Sequence, residues 1–190
     1  MKQAGRINKK KVAKLLRQLL VELGENPDSE GLIGTPARMA DMYEEIFGGY
    51  NMDAELDVTF SDETDVIVAR DIKFYSMCEH HMLPFFGKIH VAYVPAGRVF
   101  GVSKLVRLVE KHSRRLQIQE RITKEIADEL MRMGVKGAMV IAEGEDLCMK
   151  MRGVRNDSSI MTIAYRGVMD QKDLREHVLA MIRNPKTLNS

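Results

Sequence analysis

The hydrophobic period of this chain changes at Asp65, and that change constrains its fold more than any other feature. Before it, residues 9–23 place Val12, Leu15, Leu16, Leu19 and Leu20 on one helical face. Gly24-Glu25-Asn26-Pro27-Asp28 ends that helix. Thr35-Pro36 then reads as an N-cap followed by proline at the first position of a second helix, which runs to about Phe47 and stops at Gly48-Gly49. Residues 51–64 are acidic and read as irregular. After Asp65 the pattern is that of strands, a first over 66–69 and 72–74 and a second at 87–95, with Ala96-Gly97 as a turn. Ser103 is expected to cap a helix reaching about Arg115, and a further helix covers 119–133. Strands at 138–142, 147–151 and 160–165 and a helix at 171–182 complete the order. Two helices, two strands, two helices, three strands and a helix predict an α+β fold with a mainly antiparallel sheet. Residues 1–60 read as a helical arm and 61–190 as the main body of one structural unit, with no internal repeat.

A chain of 190 residues has room for a sizeable core. Its 45% apolar and 29% charged residues are ordinary for a globular protein, and a net charge of +2 gives no reason to expect a nucleic-acid partner. Apolar runs are too short to span a membrane. The N-terminal Met1-Lys2-Gln3-Ala4-Gly5-Arg6 has no apolar core and does not read as a signal peptide, so a cytoplasmic protein with reduced thiols is expected. The 14 methionines are read as core residues rather than as metal ligands.

The two cysteines carry the first chemical signal. Cys78 opens Cys78-Glu79-His80-His81, and Cys148 lies in Glu145-Asp146-Leu147-Cys148-Met149-Lys150-Met151-Arg152-Gly153. A Cys-x-x-His pair plus one distant cysteine supplies three ligands and leaves a fourth position open, the pattern of a catalytic Zn2+ rather than a structural one. The open position would hold a water acidic enough to attack at neutral pH. Adjacent histidines on an extended segment point opposite ways. The spacing selects His81 as ligand and leaves His80 as a general acid/base.

Two further segments suggest a substrate. Lys104 and Arg107 share a face just past the start of a helix, where Ser103 and the helix N-terminus favour phosphate. Arg152 could add a third cation near the metal. Read alone, Lys104, Arg107 and Lys111 are equally a solvated helix face. Glu120, in Gln117-Ile118-Gln119-Glu120-Arg121, is either a favourable helix-dipole partner or a carboxylate able to take two hydrogen bonds from guanine.

These segments together resemble the GTP cyclohydrolase I family. The likeness runs from Glu25-Asn26-Pro27 and Gly34-Thr35-Pro36-Ala37-Arg38-Met39-Ala40 to Arg166-Gly167. It includes Cys78-Glu79-His80-His81, Val91-Ala92-Tyr93-Val94-Pro95, Gly101-Val102-Ser103-Lys104, Gln119-Glu120-Arg121 and Cys148-Met149-Lys150 before Arg152-Gly153. The resemblance implies a T-fold, an antiparallel sheet with helices packed on one face, in a toroidal homodecamer with active sites between subunits. By motif position it implies Zn2+ bound by Cys78, His81 and Cys148, with His80 as acid/base. Glu120 would grip guanine and Gln119 would also meet substrate. Ser103, Lys104, Arg107, Arg152 and Arg38 would hold triphosphate and ribose. The reaction implied takes GTP and water to formate and 7,8-dihydroneopterin triphosphate.

One position departs from the family pattern. Where a catalytic histidine stands two residues before the second cysteine, this chain has Asp146. The histidines are His80, His81, His90, His112 and His177, and only the first two lie in a metal-binding segment. An unperturbed aspartate is almost wholly ionised at neutral pH and is a poor acid. Three readings stay open: a GTP cyclohydrolase I in which His80 or Asp146 covers the role; an enzyme that stops at the ring-opened formamidopyrimidine or takes another purine triphosphate; and a non-catalytic nucleotide-binding homologue. Asp41, where a basic residue is common, would weaken triphosphate binding if it faced that group. His112 could approach the site from a neighbouring helix.

Overall fold

The structure is a computed structural model that describes residues 7–52, 59–62 and 64–183. The chain divides into two compact units, Met1–Met52 and Asp53–Ser190.

The first unit holds helix α1 (Lys9–Glu22) and helix α2 (Thr35–Ile46), followed by a 3-10 turn at Gly48–Asn51. Asn8 caps α1 by accepting from the Lys11 N–H at 3.0 Å. The cap of α2 is Gly34, so Thr35 and Pro36 both lie inside the helix, one step later than the sequence suggests. Proline is tolerated there because the first-turn N–H groups have no helical partner. Lys9 pairs with Asp41 at 3.1 Å and Glu44 at 3.0 Å, tying the two helices together and giving Asp41 a partner within its own unit. Within α1 only Leu16 is buried, while Leu15 and Leu19 are exposed.

The second unit is built on a five-stranded sheet. Its strands are β2 (Ile67–Cys78), β3 (Pro84–Val94), β5 (Leu116–Gln117), β6 (Gly137–Asp146) and β7 (Ile160–Gly167), in the order β5-β2-β3-β6-β7. All neighbours are antiparallel except β5, which runs parallel to β2. A separate pair joins β1 (Thr59–Ser61), within the stretch that reads as irregular, to β4 (Arg98–Phe100). Residues 53–58 and 63 of that stretch lie outside the described residues. The first strand, expected over 66–69 and 72–74, is continuous through a bulge, where Asp71 takes a positive φ of 58° and pairs with Lys88 at 3.0 Å.

Alternation along β3 and β6 splits their side chains between two faces. Phe85, Ile89, Val91, Tyr93, Val140 and Ala142 join one core with helix α3 (Val102–Ser113) and helix α4 (Gln119–Arg132), through Leu105, Leu108, Ile122, Ile126 and Leu130. Ala92, Met139 and Ile141 join a smaller core on the other face with Met169 and Val178, the latter on helix α6 (Lys172–Arg183). Removing a fully buried side chain such as Leu130 leaves a cavity, which costs about 2–5 kcal/mol.

Two local expectations fail. Ser103 does not cap α3; Gly101 does, with Ser103 inside the first turn. Residues 147–151 are not a strand: Leu147–Lys150 is a single helical turn, α5. The register explains this. Asp146 lies opposite Phe85, near the start of β3, so the chain beyond Asp146 has almost no strand left to pair with. The Asp146 carboxylate instead accepts from the Cys148 N–H at 2.7 Å and starts the turn.

His112 is buried in α3 and faces α4, where its ring nitrogens lie 3.1 Å from Glu125 and 2.6 Å from Glu129. Lys111 reaches the other Glu129 oxygen at 2.7 Å, and Arg115 pairs with Glu125 at 2.9 Å. Burial would raise the Glu129 carboxyl, but hydrogen bonds from His112 and Lys111 outweigh it and hold the group down to about 2. A depressed carboxyl stabilises the fold in full above its ordinary value of 4.5, and that contribution is lost as pH falls toward about 2. The shift corresponds to roughly 3 kcal/mol. Glu129→Gln should therefore be less stable at neutral pH and show a flatter loss of stability between those limits, as measured by denaturant unfolding at a series of pH values. An unchanged slope would remove Glu129 from the acid response.

Candidate metal centre and adjoining cavity

The sheet register gathers the site at one end of the sheet. β2 ends at Cys78, which pairs with Gln117 of β5. β6 ends at Asp146, opposite Phe85, and Gly144 lies opposite Ile160 at the start of β7. Residues 79–83 form the β2–β3 turn, closed by Met82 N–H donating to the Cys78 carbonyl at 2.8 Å and Cys78 N–H donating to the Leu83 carbonyl at 2.9 Å. Met82 adopts a positive φ of 53° in this turn. His80 and His81 thus lie in a tight turn rather than on an extended strand, with ring planes 78° apart.

The turn sends the two rings to different places. The ligand atoms of Cys78, His81 and Cys148 lie within 4.8 Å of one another. A tetrahedral zinc with ligand bonds of about 2.0–2.3 Å needs donors roughly 3.5 Å apart, which a side-chain adjustment of about 1 Å provides. Two sulfurs and one imidazole are a donor set that suits zinc. The electrostatics favour a cation as well. Burial, the neighbouring Cys78 sulfur and the Asp146 carboxylate push the Cys148 thiol up to about 12, because a second anion would be crowded against existing negative charge. A divalent cation relieves that crowding and deprotonates the thiol.

Beside the cluster is a cavity of about 150 Å³. Its walls include Cys78, His80, Gln119, Glu120 and Asp146, with Phe85, Ile118 and Ile160 supplying the apolar part. Among the described residues His80 is the one imidazole lining it, and its Nδ1 lies 3.8 Å from the Cys78 Sγ. His112 has no place in this cavity; its partners are the α4 glutamates. Glu120 also borders a wider groove of about 590 Å³ with Thr123, Lys124, Thr162 and Tyr165.

The remaining candidates are placed differently. Gln119 is buried, and its amide nitrogen donates to the carbonyls of Ile160 at 2.8 Å and Ala142 at 3.2 Å and to the Thr162 hydroxyl at 3.3 Å. It therefore fastens α4 to β6 and β7 as well as lining the cavity. Gly144 makes room for it: a Cβ there would collide with the Gln119 Oε1. Arg152 lies against the cluster, its Nη1 2.6 Å from His81 Nε2. Ser103, Lys104 and Arg107 occupy the first two turns of α3 and are not among the residues lining the cavity. Arg38, in the first unit, donates to the Thr35 hydroxyl at 2.9 Å and the Gly31 carbonyl at 3.3 Å.

One further group lies beside the β2–β3 turn. Glu79 pairs through both carboxylate oxygens with Arg121, at 2.6 Å and 3.0 Å. Arg121 also donates to Gln117 Oε1 at 3.2 Å, and the Gln117 carbonyl accepts from Glu79 N–H at 3.1 Å. No spacing signal marks their contact, because Glu79 and Arg121 are far apart in sequence and are brought together only by the fold.

The comparisons with known proteins give the family. The family model described as GTP cyclohydrolase I matches residues 12–183. The protein named GTP cyclohydrolase 1 of Hyperthermus butylicus is 51% identical over 178 residues, covering 93% of this chain and 92% of its own length. A protein of that name from Clostridium perfringens is 48% identical over 182 residues, covering 93% and 98%. Another from Listeria monocytogenes is 47% identical over 185 residues, covering 94% and 98%. With a family match across most of its length and relatives at this level of identity, the chain belongs to the GTP cyclohydrolase I family of enzymes.

Proposed function

We propose that this chain is a zinc-dependent GTP cyclohydrolase that hydrolyses GTP at C8, releasing formate and 7,8-dihydroneopterin triphosphate. The observation that supports it best is the Cys78, His81 and Cys148 cluster directly beside a small cavity lined by His80 and Glu120. Bound zinc supplies Lewis acidity that makes water nucleophilic at neutral pH. The chain's own residues do the rest. Glu120 accepts hydrogen bonds from the guanine ring N–H and amino group, which orients C8 toward the cluster. His80 takes and returns protons as the ring opens and the formamide is cleaved. Phe85, Ile118 and Ile160 keep the pocket small and exclude bulk water.

Ser103, Lys104, Arg107, Arg152 and Arg38 are assigned to the triphosphate and ribose. Arg152 stands beside His81, whereas Ser103, Lys104 and Arg107 do not line the cavity of their own chain. That separation supports a site completed between copies in a homo-oligomer, the decamer that the family resemblance implies. The exposed apolar side chains of Met161, Ile163 and Tyr165 on the edge strand β7 support an assembly in the same way. No helix among the described residues is long and apolar enough to cross a membrane.

A second reading is favoured by Asp146. Its carboxylate is engaged as the cap of the turn that carries Cys148. A group held in that way is poorly placed to carry protons, which favours arrest at the ring-opened formamidopyrimidine. Asp146 variants separate cap from proton carrier. Asp146→Asn keeps the cap acceptor and should keep zinc and turnover within about threefold of wild type, the scale of a weakened cap. Asp146→Ala loses the cap, costing about 1 kcal/mol, and should bind zinc more weakly. If Asp146→Asn retains zinc but loses turnover, the carboxylate carries protons.

Metal dependence tests the reading as a whole. Chelated protein should leave GTP unchanged, and one equivalent of zinc should restore its consumption. Equal GTP loss with and without metal would overturn it.

A further inference from the structure

We propose that Glu79, Gln117 and Arg121 form a positioning ring that sets the distance between the metal turn and the base-recognition residue Glu120. The inference rests on the cyclohydrolase reading above.

Each link of the ring joins a different element. Glu79 lies between the ligand Cys78 and the acid/base His80, in the β2–β3 turn. Its carboxylate meets Arg121 on α4 through two parallel hydrogen bonds of 2.6 Å and 3.0 Å. Arg121 donates to the side-chain carbonyl of Gln117 on β5. The backbone carbonyl of Gln117 accepts the Glu79 N–H and closes the ring. Arg121 directly follows Glu120, so anything that fixes the Arg121 backbone also places Glu120.

The anchor of the ring is buried. Gln117 is 2% exposed, and its amide nitrogen donates to Glu125 at 2.9 Å and to the His112 carbonyl at 3.1 Å. The ring is therefore fastened to the α3–α4 core, while its outer face borders the metal turn. Glu79 and Arg121 are 32% and 39% exposed, so as an isolated ion pair they contribute little to stability. A two-pronged Arg–carboxylate contact is directional, however, and fixes orientation where a single point charge does not. Its expected value is geometric: hydrolysis at C8 requires the base and the metal to be held in register, and a misplacement of about 1 Å can cost on the order of 10²-fold. Neither side chain belongs to the metal cluster, and neither lines the cavity, so both act through their neighbours.

The test compares wild type, Arg121→Ala, Arg121→Lys and Glu79→Gln, each loaded with Co2+ for spectroscopy and with Zn2+ for kinetics. The visible absorption of Co2+ bound to two thiolates and an imidazole reports ligand geometry without turnover. Arg121→Ala should shift that spectrum while keeping one equivalent of metal, and should lower kcat/KM for GTP on the order of 10²-fold, with part of the loss in KM. Arg121→Lys keeps the charge without the fork and should recover melting temperature while the spectrum stays shifted. Glu79→Gln keeps the shape of the turn and gives the same comparison should the alanine variant fail to fold. If the variants change only melting temperature, with the Co2+ spectrum unmoved and kcat/KM within about twofold of wild type, the ring is merely structural and the proposal is overturned. Wild type separates the two layers. Uptake of Co2+ without GTP consumption would sink the substrate reading, leaving the spectra to decide whether the ring positions the turn. No Co2+ uptake by wild type would sink the metal assignment and the proposal with it.

Discussion

Cys148→Ser should strip the protein of stoichiometric zinc and abolish turnover while leaving the fold in place. Cys148 lies in a four-residue turn at the end of β6, only partly buried, so the exchange of sulfur for oxygen removes little packing. Its effect on the metal is much larger. A serine hydroxyl stays protonated where a zinc-bound thiol gives up its proton, so one of the three proposed protein ligands is lost. Four-ligand structural zinc sites bind with about 10–16 kcal/mol, so one ligand corresponds to about a quarter of that, on the order of 10²–10³ in affinity. Zinc content after gel filtration, read beside the melting temperature, tests this. A folded variant retaining one equivalent of zinc would refute the ligand assignment.

His80→Gln should give the complementary result: zinc retained and turnover lost. The His80 ring lies outside the ligand cluster but lines the cavity, where it is the one imidazole among the described residues. Loss of a positioned general acid/base costs about 10²–10⁴-fold. The size of the loss also decides between His80 and Asp146. If the Asp146 carboxylate shared the proton-transfer role, His80→Gln would keep substantial activity and Asp146→Asn would remove it. Because Asp146 is engaged as a cap by the Cys148 N–H, the expected order is the reverse.

The long elements of the fold were legible because each carries its period over enough residues. β3 alternates between two cores, and α4 turns Ile122, Ile126 and Leu130 to one side. The T-fold class followed from the family motifs, and the family match agrees with it. Short elements escaped. α5 is one turn, set by a cap and by the end of a pairing partner, and neither leaves a periodic trace. β1, β4 and β5 have three residues or fewer, so their pairing is decided by tertiary contact.

The candidate ligand cluster was legible where spacing reflects chemistry. Cys78, His81 and Cys148 meet because the register brings the ends of β2 and β6 together. The Glu79–Gln117–Arg121 ring was not legible, since its members have no characteristic spacing and are ordinary polar residues in isolation. The exposed Leu15 and Leu19 show the converse limit: an apolar stripe marks a helix but does not say what covers it.

A single incubation of zinc-loaded protein with GTP, following GTP, formate and, after oxidation, the fluorescent pterin, tests the cyclohydrolase assignment and its product together. Formate and pterin should form in amounts equal to the GTP consumed. GTP loss without formate would contradict that product in favour of arrest at the opened ring, and unchanged GTP would contradict the cyclohydrolase assignment itself.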